Sequence, residues 1–229
     1  LTRARQVQQA LQPKTSLVLD GYEVAGSSTP ARTLGGDFFD WYPVPHGIGF
    51  TVADVMGKGL GAAVIAATVR AVIRSGARSN GVVTAVTRAA EILDHDLGDT
   101  DSFATLFHAK LRRSDGRVRY VDAGHGLTLV VRADGSWIRL AHGDLPLGTA
   151  FGHTWRRHTV HLNAGDTLIT FSDGVLDIFD GTLDSLGDVV DIVRHTSSAQ
   201  MAVAAITLMA EHDDSTDDVV VLAIRRVEQ

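Results

Sequence analysis

The sequence predicts an α+β domain in which two antiparallel sheets lie face to face with helix pairs on their outer sides. Three observations point to it. Strand-like runs come in pairs around short turns bearing Gly and Asp, which implies antiparallel pairing. Helical periodicity is gathered into two clusters and does not alternate with single strands, which favours α+β over α/β. The apolar arcs of the helices are broad, so each helix needs a sheet or a neighbour to cover it. With 229 residues, 45% of them hydrophobic, the chain is long enough for one substantial core.

The elements follow in order. Leu1 to Gln12 is helical in pattern, with Leu1, Ala4, Val7 and Leu11 near one face, and Pro13 stops it. Periodicity fits equally the tail of a linker from an upstream domain and a helix packing on its own domain. The chain begins without Met, so it is expected to be a fragment or a processed form. Tyr22 to Val55 reads as strands, with the turn His46-Gly47 separating Phe38–Val44 from Ile48–Val55. Gly57, Gly59 and Gly61 then open a helix over Leu60–Ser75, whose arc suggests burial on more than one side. A second helix, Val82–Leu97, follows a break at Ser79-Asn80-Gly81.

Strands resume with Phe103–Leu111 and Val118–Asp122 around Arg113-Ser114-Asp115-Gly116, then Leu127–Arg132 and Ser136–Leu140 around Ala133-Asp134-Gly135. His158–Leu162 and Asp166–Phe171 flank Asn163-Ala164-Gly165 and read as a further hairpin. Helical stretches Leu183–His195 and Ala199–Glu211 precede a last strand, Val219–Arg226.

Composition excludes several function classes. A net charge of −6 without a long Lys/Arg run argues against a nucleic-acid surface. Arg112-Arg113 and Arg156-Arg157 are short clusters beside turns and are expected to be solvated. The absence of cysteine removes disulfides, thiolate metal sites and Cys nucleophiles, and fits a reducing, cytoplasmic setting. No stretch approaches the roughly 20 apolar residues of a membrane span. Arg3, Arg5 and the Gln-rich start replace the apolar region of a signal peptide.

Four aspartates hold the chemistry. Asp37, Asp54, Asp173 and Asp217 each sit at the end of a strand-like run with the parity of its apolar residues: Phe39 and Trp41; Ile48, Phe50 and Val52; Ile169 and Phe171; Val219 and Val221. Each is therefore expected at the rim of a core. Four carboxylates meeting at one rim repel unless cations neutralise them. Oxygen-only sites suit Mg2+ or Mn2+, and two such ions about 4 Å apart can hold a hydroxide for attack on phosphorus. Singly, each aspartate is an ordinary turn former or helix cap.

Other motifs are weaker. The glycines around Lys58 match neither the phosphate-loop nor the dinucleotide spacing. They suit a sharp strand-to-helix turn, with Lys58 either touching phosphate or solvated. The ten histidines show no metal spacing, and His125 in AGHG reads as part of a turn. Ser102 and Ser172 lack the G-x-S-x-G context.

Eight segments in order, QQALQP, PARTLGGDFFDWYPV, VADVMGKGLGAAV, FATLFHAKL, YVDAGHG, LPLGT, GDTLITFSDGVLD and DDVVVLAIRR, resemble the bacterial PPM-type serine/threonine phosphatases of the SpoIIE-like class, which regulate sigma factors. The resemblance implies an αββα sandwich with two Mn2+ or Mg2+ ions in a cleft at one end. Asp54 would bridge both ions, joined by the backbone carbonyl of Val55. Asp37 would serve one ion, Asp173 and Asp217 the other. Gly36, Asp40, Gly57, Lys58, Gly174 and Asp218 would be supporting neighbours.

The implied substrate is a phosphoserine or phosphothreonine on a small anti-anti-sigma (STAS) protein, in a partner switch that frees a sigma factor. The implied division is a linker helix at 1–14, the tail of an upstream sensor or linker segment, and a phosphatase domain at 15–229. A homodimer is compatible with this; nucleic acid and membrane insertion are not expected. Val219-Val220, Met56 and Gly126-Leu127 depart from the usual pattern, which bears on fine positioning, and none removes a ligand. Two alternatives stand beside the protein phosphatase: a non-catalytic regulatory module of the same fold, and a phosphohydrolase of small molecules. The first helix and the helix after Gly59 are the expected route for regulation, because the latter begins just after Asp54.

Overall fold

Alternating strands whose two faces are both apolar need cover on both sides, and the chain supplies it with a four-layer arrangement. The computed structural model describes residues 2–13, 16–31, 34–76, 81–97, 102–140, 143–149, 152–212 and 217–227. Leu1, Ser79 and Asn80, used in the sequence reading, lie outside the described residues. One sheet contains β1 (Ser16–Leu19), β2 (Tyr22–Thr29), β7 (Thr128–Val131), β8 (Trp137–Arg139), β10 (Thr167–Phe171) and β11 (Val219–Arg226). Its spatial order is β1-β2-β11-β10-β7-β8. The other contains β3 (Phe38–Val44), β4 (Gly47–Val55), β5 (Ala104–Arg112), β6 (Arg117–Ala123) and β9 (His158–His161), in the order β3-β4-β5-β6-β9. Below they are the β1 sheet and the β3 sheet.

The facing sides of the sheets bury one core, with Tyr22, Phe39, Phe50, Phe107, Leu168 and Leu222 at its centre. Phe107 and Tyr120 stack there with ring centroids 5.2 Å apart. Helices α2 (Leu60–Ser75) and α3 (Val82–Leu97) cover the outer face of the β3 sheet. Helices α5 (Leu186–Arg194) and α6 (Ala199–His212) cover the outer face of the β1 sheet. Helix α1 (Thr2–Leu11) precedes all of these, and α4 (Gly174–Asp177) is a single turn after β10. The αββα sandwich expected from the sequence is the fold observed.

Four expectations need correction. Strand β1 was not foreseen, although Asp20-Gly21 is a two-residue hairpin turn, with Gly21 at φ 78°. The turn at Asn163-Ala164-Gly165 does not close a hairpin: β9 pairs with β6, and β10 with β7 and β11. This turn passes the chain between the sheets, and the buried Asp166 carboxylate pins it by accepting from Arg132 Nη1 and the Asn163 and Ala133 N–H groups. Leu183–His195 is a 3₁₀ turn, Leu183–Ser185, leading into α5. Finally, α2 is buried along one stripe only, Ala62, Ala66, Val69 and Ile73, while Leu60 and Val64 stay more than half exposed. Helix α1 lies beside α2 without closing over it and leaves a groove of about 750 Å3.

Candidate metal centre

The four aspartates come from both sheets. Asp37 ends the loop before β3, and Asp54 is the next-to-last residue of β4. For these two the parity reading holds, because Phe39, Trp41, Ile48, Phe50 and Val52 all belong to the core between the sheets. For Asp173 and Asp217 it does not. Ile169, Phe171, Val219 and Val221 pack on the helix side of the β1 sheet. Both aspartates reach the site because the chain leaves the strand beside them: Asp173 follows the end of β10, and Asp217 precedes the start of β11. Ser172 fixes this junction, its hydroxyl donating to the Asp218 carbonyl (3.0 Å) and accepting the Val220 N–H (2.9 Å).

The carboxylates feel one another. Burial, then the Asp54 carboxylate, raises Asp37 well above the usual carboxylate range, and Asp218 and Asp173 add to the rise. Burial raises Asp173, followed by Asp54 and Asp217; the Gly174 N–H works against them. Asp173 stands just before α4 and makes no capping bond of the usual kind; the Gly174 N–H draws on its charge. Lys58 Nζ lies 3.2 Å from Asp217 Oδ1. Lys58 is therefore neither a loose loop lysine nor remote from the site: its ammonium group faces one of the four carboxylates.

Backbone geometry makes room for this cluster. A Cβ on Gly36 would stand 2.7 Å from the Val55 carbonyl oxygen, and one on Gly174 would stand 2.3 Å from the Asp218 carbonyl oxygen. A side chain at either position would force the backbone beside the site to shift. A Cβ on Gly57, at φ 96°, would meet nothing within 4 Å. The part of this glycine is the turn that leads from β4 into α2.

Two supporting acids have clear structural tasks. The Asp218 carboxylate accepts the Ala31 N–H at 2.9 Å and is also drawn on by the N–H groups of Gly36 and Asp37; burial still raises its pKa. Asp218 thereby ties the loop before β3 to the start of β11. Asp40 points away, under α2, where it pairs with Arg70 (3.2 Å) and Arg74 (3.4 Å). It is buried among those partners and does not join the cluster. Sequence reasoning missed both arginines, and also Gln8, which donates to the Gly35 carbonyl at 2.7 Å and holds α1 against the site loop.

Among the described residues no three acidic or imidazole groups close tightly enough to enclose an ion unaided. A cation held here would draw on few carboxylates, a backbone carbonyl and water, which is the habit of Mg2+ and Mn2+. The residues fit such ions: charge is in excess, an ammonium group already answers part of it, and the glycines leave the Val55 and Asp218 carbonyls clear.

Residues 45–227 match the family model described as stage II sporulation protein E (SpoIIE). The chain is 27% identical over 177 residues to the phosphoserine phosphatase RsbU of Bacillus subtilis, covering 75% of this chain and 52% of that one. It is 25% identical over 261 residues to protein IcfG of Synechocystis, covering 99% of this chain and 41% of that one. The chain thus spans about half the length of these relatives, or less. Among solved structures, the RsbU and RsbW domains of Rv1364c from Mycobacterium tuberculosis superpose with a TM-score of 0.80 at 25% identity, over 93% of this chain and 62% of that one. RsbX in complex with magnesium superposes with a TM-score of 0.74 at 15% identity, over 91% and 97%; this likeness shows the fold alone.

Proposed function

The chain belongs to the SpoIIE family of PPM-type protein phosphatases, and from that premise we propose that it hydrolyses phosphoserine or phosphothreonine on an anti-anti-sigma (STAS) type protein, using two Mn2+ or Mg2+ ions. One observation above all supports the reading: Asp37 and Asp54 from one sheet, and Asp173 and Asp217 from the other, interact at one end of the sandwich. When bound, such ions lower the pKa of water and polarise the phosphoryl group.

The chain's own groups have distinct tasks. Asp54 sits between Asp37 and Asp173 electrostatically, which suits a ligand shared by both ions. Asp37 would help hold one ion, and Asp173 and Asp217 would help hold the other. The Val55 carbonyl, kept clear by Gly36, adds a neutral oxygen. Asp218 orients Asp37 through the loop N–H groups, and Asp40 orients β3 through α2. Lys58, paired with Asp217 at 3.2 Å, would compete with a cation for that carboxylate, and its ammonium group would be placed to meet a substrate phosphate. A phosphate ester would bring further negative charge to the cations, and water would be the attacking group, so no side-chain nucleophile is called for.

The likeness to RsbU supports a phosphoprotein substrate within a partner switch. A division into a linker helix at 1–14 and a phosphatase domain at 15–229, an upstream sensor and a homodimer belong to the same proposal. The groove between α1 and α2 beside the site supports a regulatory role for these two helices. Release of phosphate from a phosphorylated STAS protein, with and without Mn2+, tests the reading. Turnover only of an aryl phosphate would make it a small-molecule phosphohydrolase, and no turnover of either would make it a non-catalytic module.

A further inference from the structure

Arg112 and Arg157, which the sequence places in separate clusters beside turns, are brought together by the fold with three further basic residues. Antiparallel pairing of β5 with β6 sets Lys110 opposite Arg119 and Arg112 opposite Arg117. All four share the parity that faces outward, since Ala109, Leu111, Val118 and Tyr120 face the core between the sheets. Arg157, just before β9, joins them from the next strand, where Thr159 is opposite Arg119. Like charges directly opposite across an antiparallel pair destabilise it, and here two successive pairs on one face are both cation on cation.

These five side chains line a groove of about 260 Å3, and none of its described lining residues is acidic. Asp115, at the hairpin turn, answers part of the charge: it accepts from Arg112 Nε at 2.8 Å and from the Arg117 backbone N–H at 3.2 Å. Arg117 Nε is nevertheless buried without a hydrogen-bond partner, a costly state for a guanidinium. Arg117 foremost, with Arg157 and Arg112, depresses the pKa of the Arg119 guanidinium. Gly81 and Val82, at the start of the 16-residue helix α3, form the far wall, and the first turn of α3 holds no acidic residue. A helix start of this kind favours an anion.

The groove lies far from the aspartates. Gly47 and Asp54 mark the two ends of β4, seven residues apart, which is roughly 24 Å of extended strand. We propose that this groove is a second ligand site, binding a small molecule that carries a diphosphate or triphosphate group. Forked guanidinium groups match tetrahedral oxyanions in shape and charge, and a single negative charge would not balance so many cations. Nucleic acid fits less well, because its backbone asks for a basic track along the surface, and the chain as a whole is acidic, at −6.

Calorimetric titration and thermal melting in the presence of a chelator test this, since the uncompensated aspartates then repel anions from the other end. The probes are inorganic pyrophosphate and ATP, each against chloride at matched ionic strength. Pyrophosphate is expected to bind and raise the melting temperature. Arg119→Ala and Arg157→Ala, both exposed positions, should each weaken it about tenfold or more, while Arg88→Ala on the outside of α3 should not. Without ligand, Arg119→Ala should melt at or above the wild-type temperature, because a like-charge pair is relieved. Binding of ATP well above that of pyrophosphate would assign the site to a nucleotide; equal binding would assign it to the diphosphate alone. Binding of neither probe beyond chloride, or binding unchanged in both variants, would overturn the proposal.

Discussion

Replacing Asp37 by Asn separates a metal ligand from a structural aspartate most sharply. Asp37 is 8% exposed, and burial, with Asp54 next, holds its carboxyl well above the ordinary range. Its folded pKa therefore exceeds its unfolded one. The cost to stability is full above the folded value and fades as pH falls toward the ordinary carboxylate value. Metal-free Asp37→Asn should melt above wild type at neutral pH, with the gap closing in acid. Mn2+ should reverse the order. At 100 times its Kd, Mn2+ stabilises the wild type by about 2.7 kcal/mol, or roughly 5–11 °C for a chain of this size. If the variant binds about 100-fold more weakly, the same Mn2+ adds only about 0.4 kcal/mol, or roughly 1–2 °C. Turnover should fall by more than the roughly 10–100-fold that loss of an outer-shell partner costs. Asp173→Asn, at an exposed position, should show the same loss of Mn2+ response with a smaller gain without metal. Calorimetric melts with and without Mn2+, beside phosphatase rates, decide. An Asp37→Asn protein that loses about 0.5–2 kcal/mol without metal yet keeps full activity would behave as a turn or cap residue and refute the reasoning.

Four further outcomes are expected. Gly36→Ala puts a Cβ 2.7 Å from the Val55 carbonyl oxygen and should weaken Mn2+ binding about tenfold with the far-UV spectrum unchanged, as calorimetry and circular dichroism will read. Lys58→Gln should change stability by less than about 1 kcal/mol, because its pair with Asp217 is exposed, and should tighten Mn2+; unchanged Mn2+ affinity with a raised KM would make Lys58 a substrate contact alone. Asp40→Asn strands the mostly buried Arg70 and should cost about 3–5 kcal/mol in urea unfolding. Burial lowers His108 to about 3 and His125 to about 4, below the unfolded value near 6.5, so stability should fall as pH drops below 6.5. Each contributes about 1.4 kcal/mol per pH unit; His108→Gln, studied in the Asp37→Asn background, should flatten the curve, and an unchanged slope would show that His108 is protonated in the fold.

Much of this was legible from local pattern. The hairpins around His46 and Arg113–Gly116, the long helices α2, α3 and α6, and the four-layer arrangement all follow from periodicity and turn residues, although the first hairpin turns at Pro45-His46, one residue earlier than expected, with Gly47 already in β4. Asp37 and Asp54 were placed by alternation, because β3 and β4 stay regular up to the site. Asp173 and Asp217 were reached by alternation for the wrong reason: their apolar stripes face the helices, and irregular backbone turns them inward. Alternation could not reveal which strands cross between sheets, so β9 and β10 were paired mistakenly. Nor could it show that Asp40 belongs to Arg70 and Arg74, partners about 30 residues away, or that Arg112 and Arg157 share one groove. The Gly35-Gly36 pair directly before an acidic residue was the available sign of a crowded loop.

The origin of the four aspartates in two different sheets bears on how the molecule comes apart. A chain without cysteine has no covalent clasp, and the sheets are held by apolar contact that unfolding can peel open. Ions gripped from both sides would act as a removable rivet. They would join residues 54 and 173 across the two sheets only while the chain is folded, and would stabilise that state by binding it alone. Parting of the sheets would then release the ions, so the rate of metal loss into a chelator would report the opening of the sandwich. Slow amide exchange at the C-terminal ends of β4 and β10 should accelerate on chelation, while the far end, at His46 and Arg117, should change little.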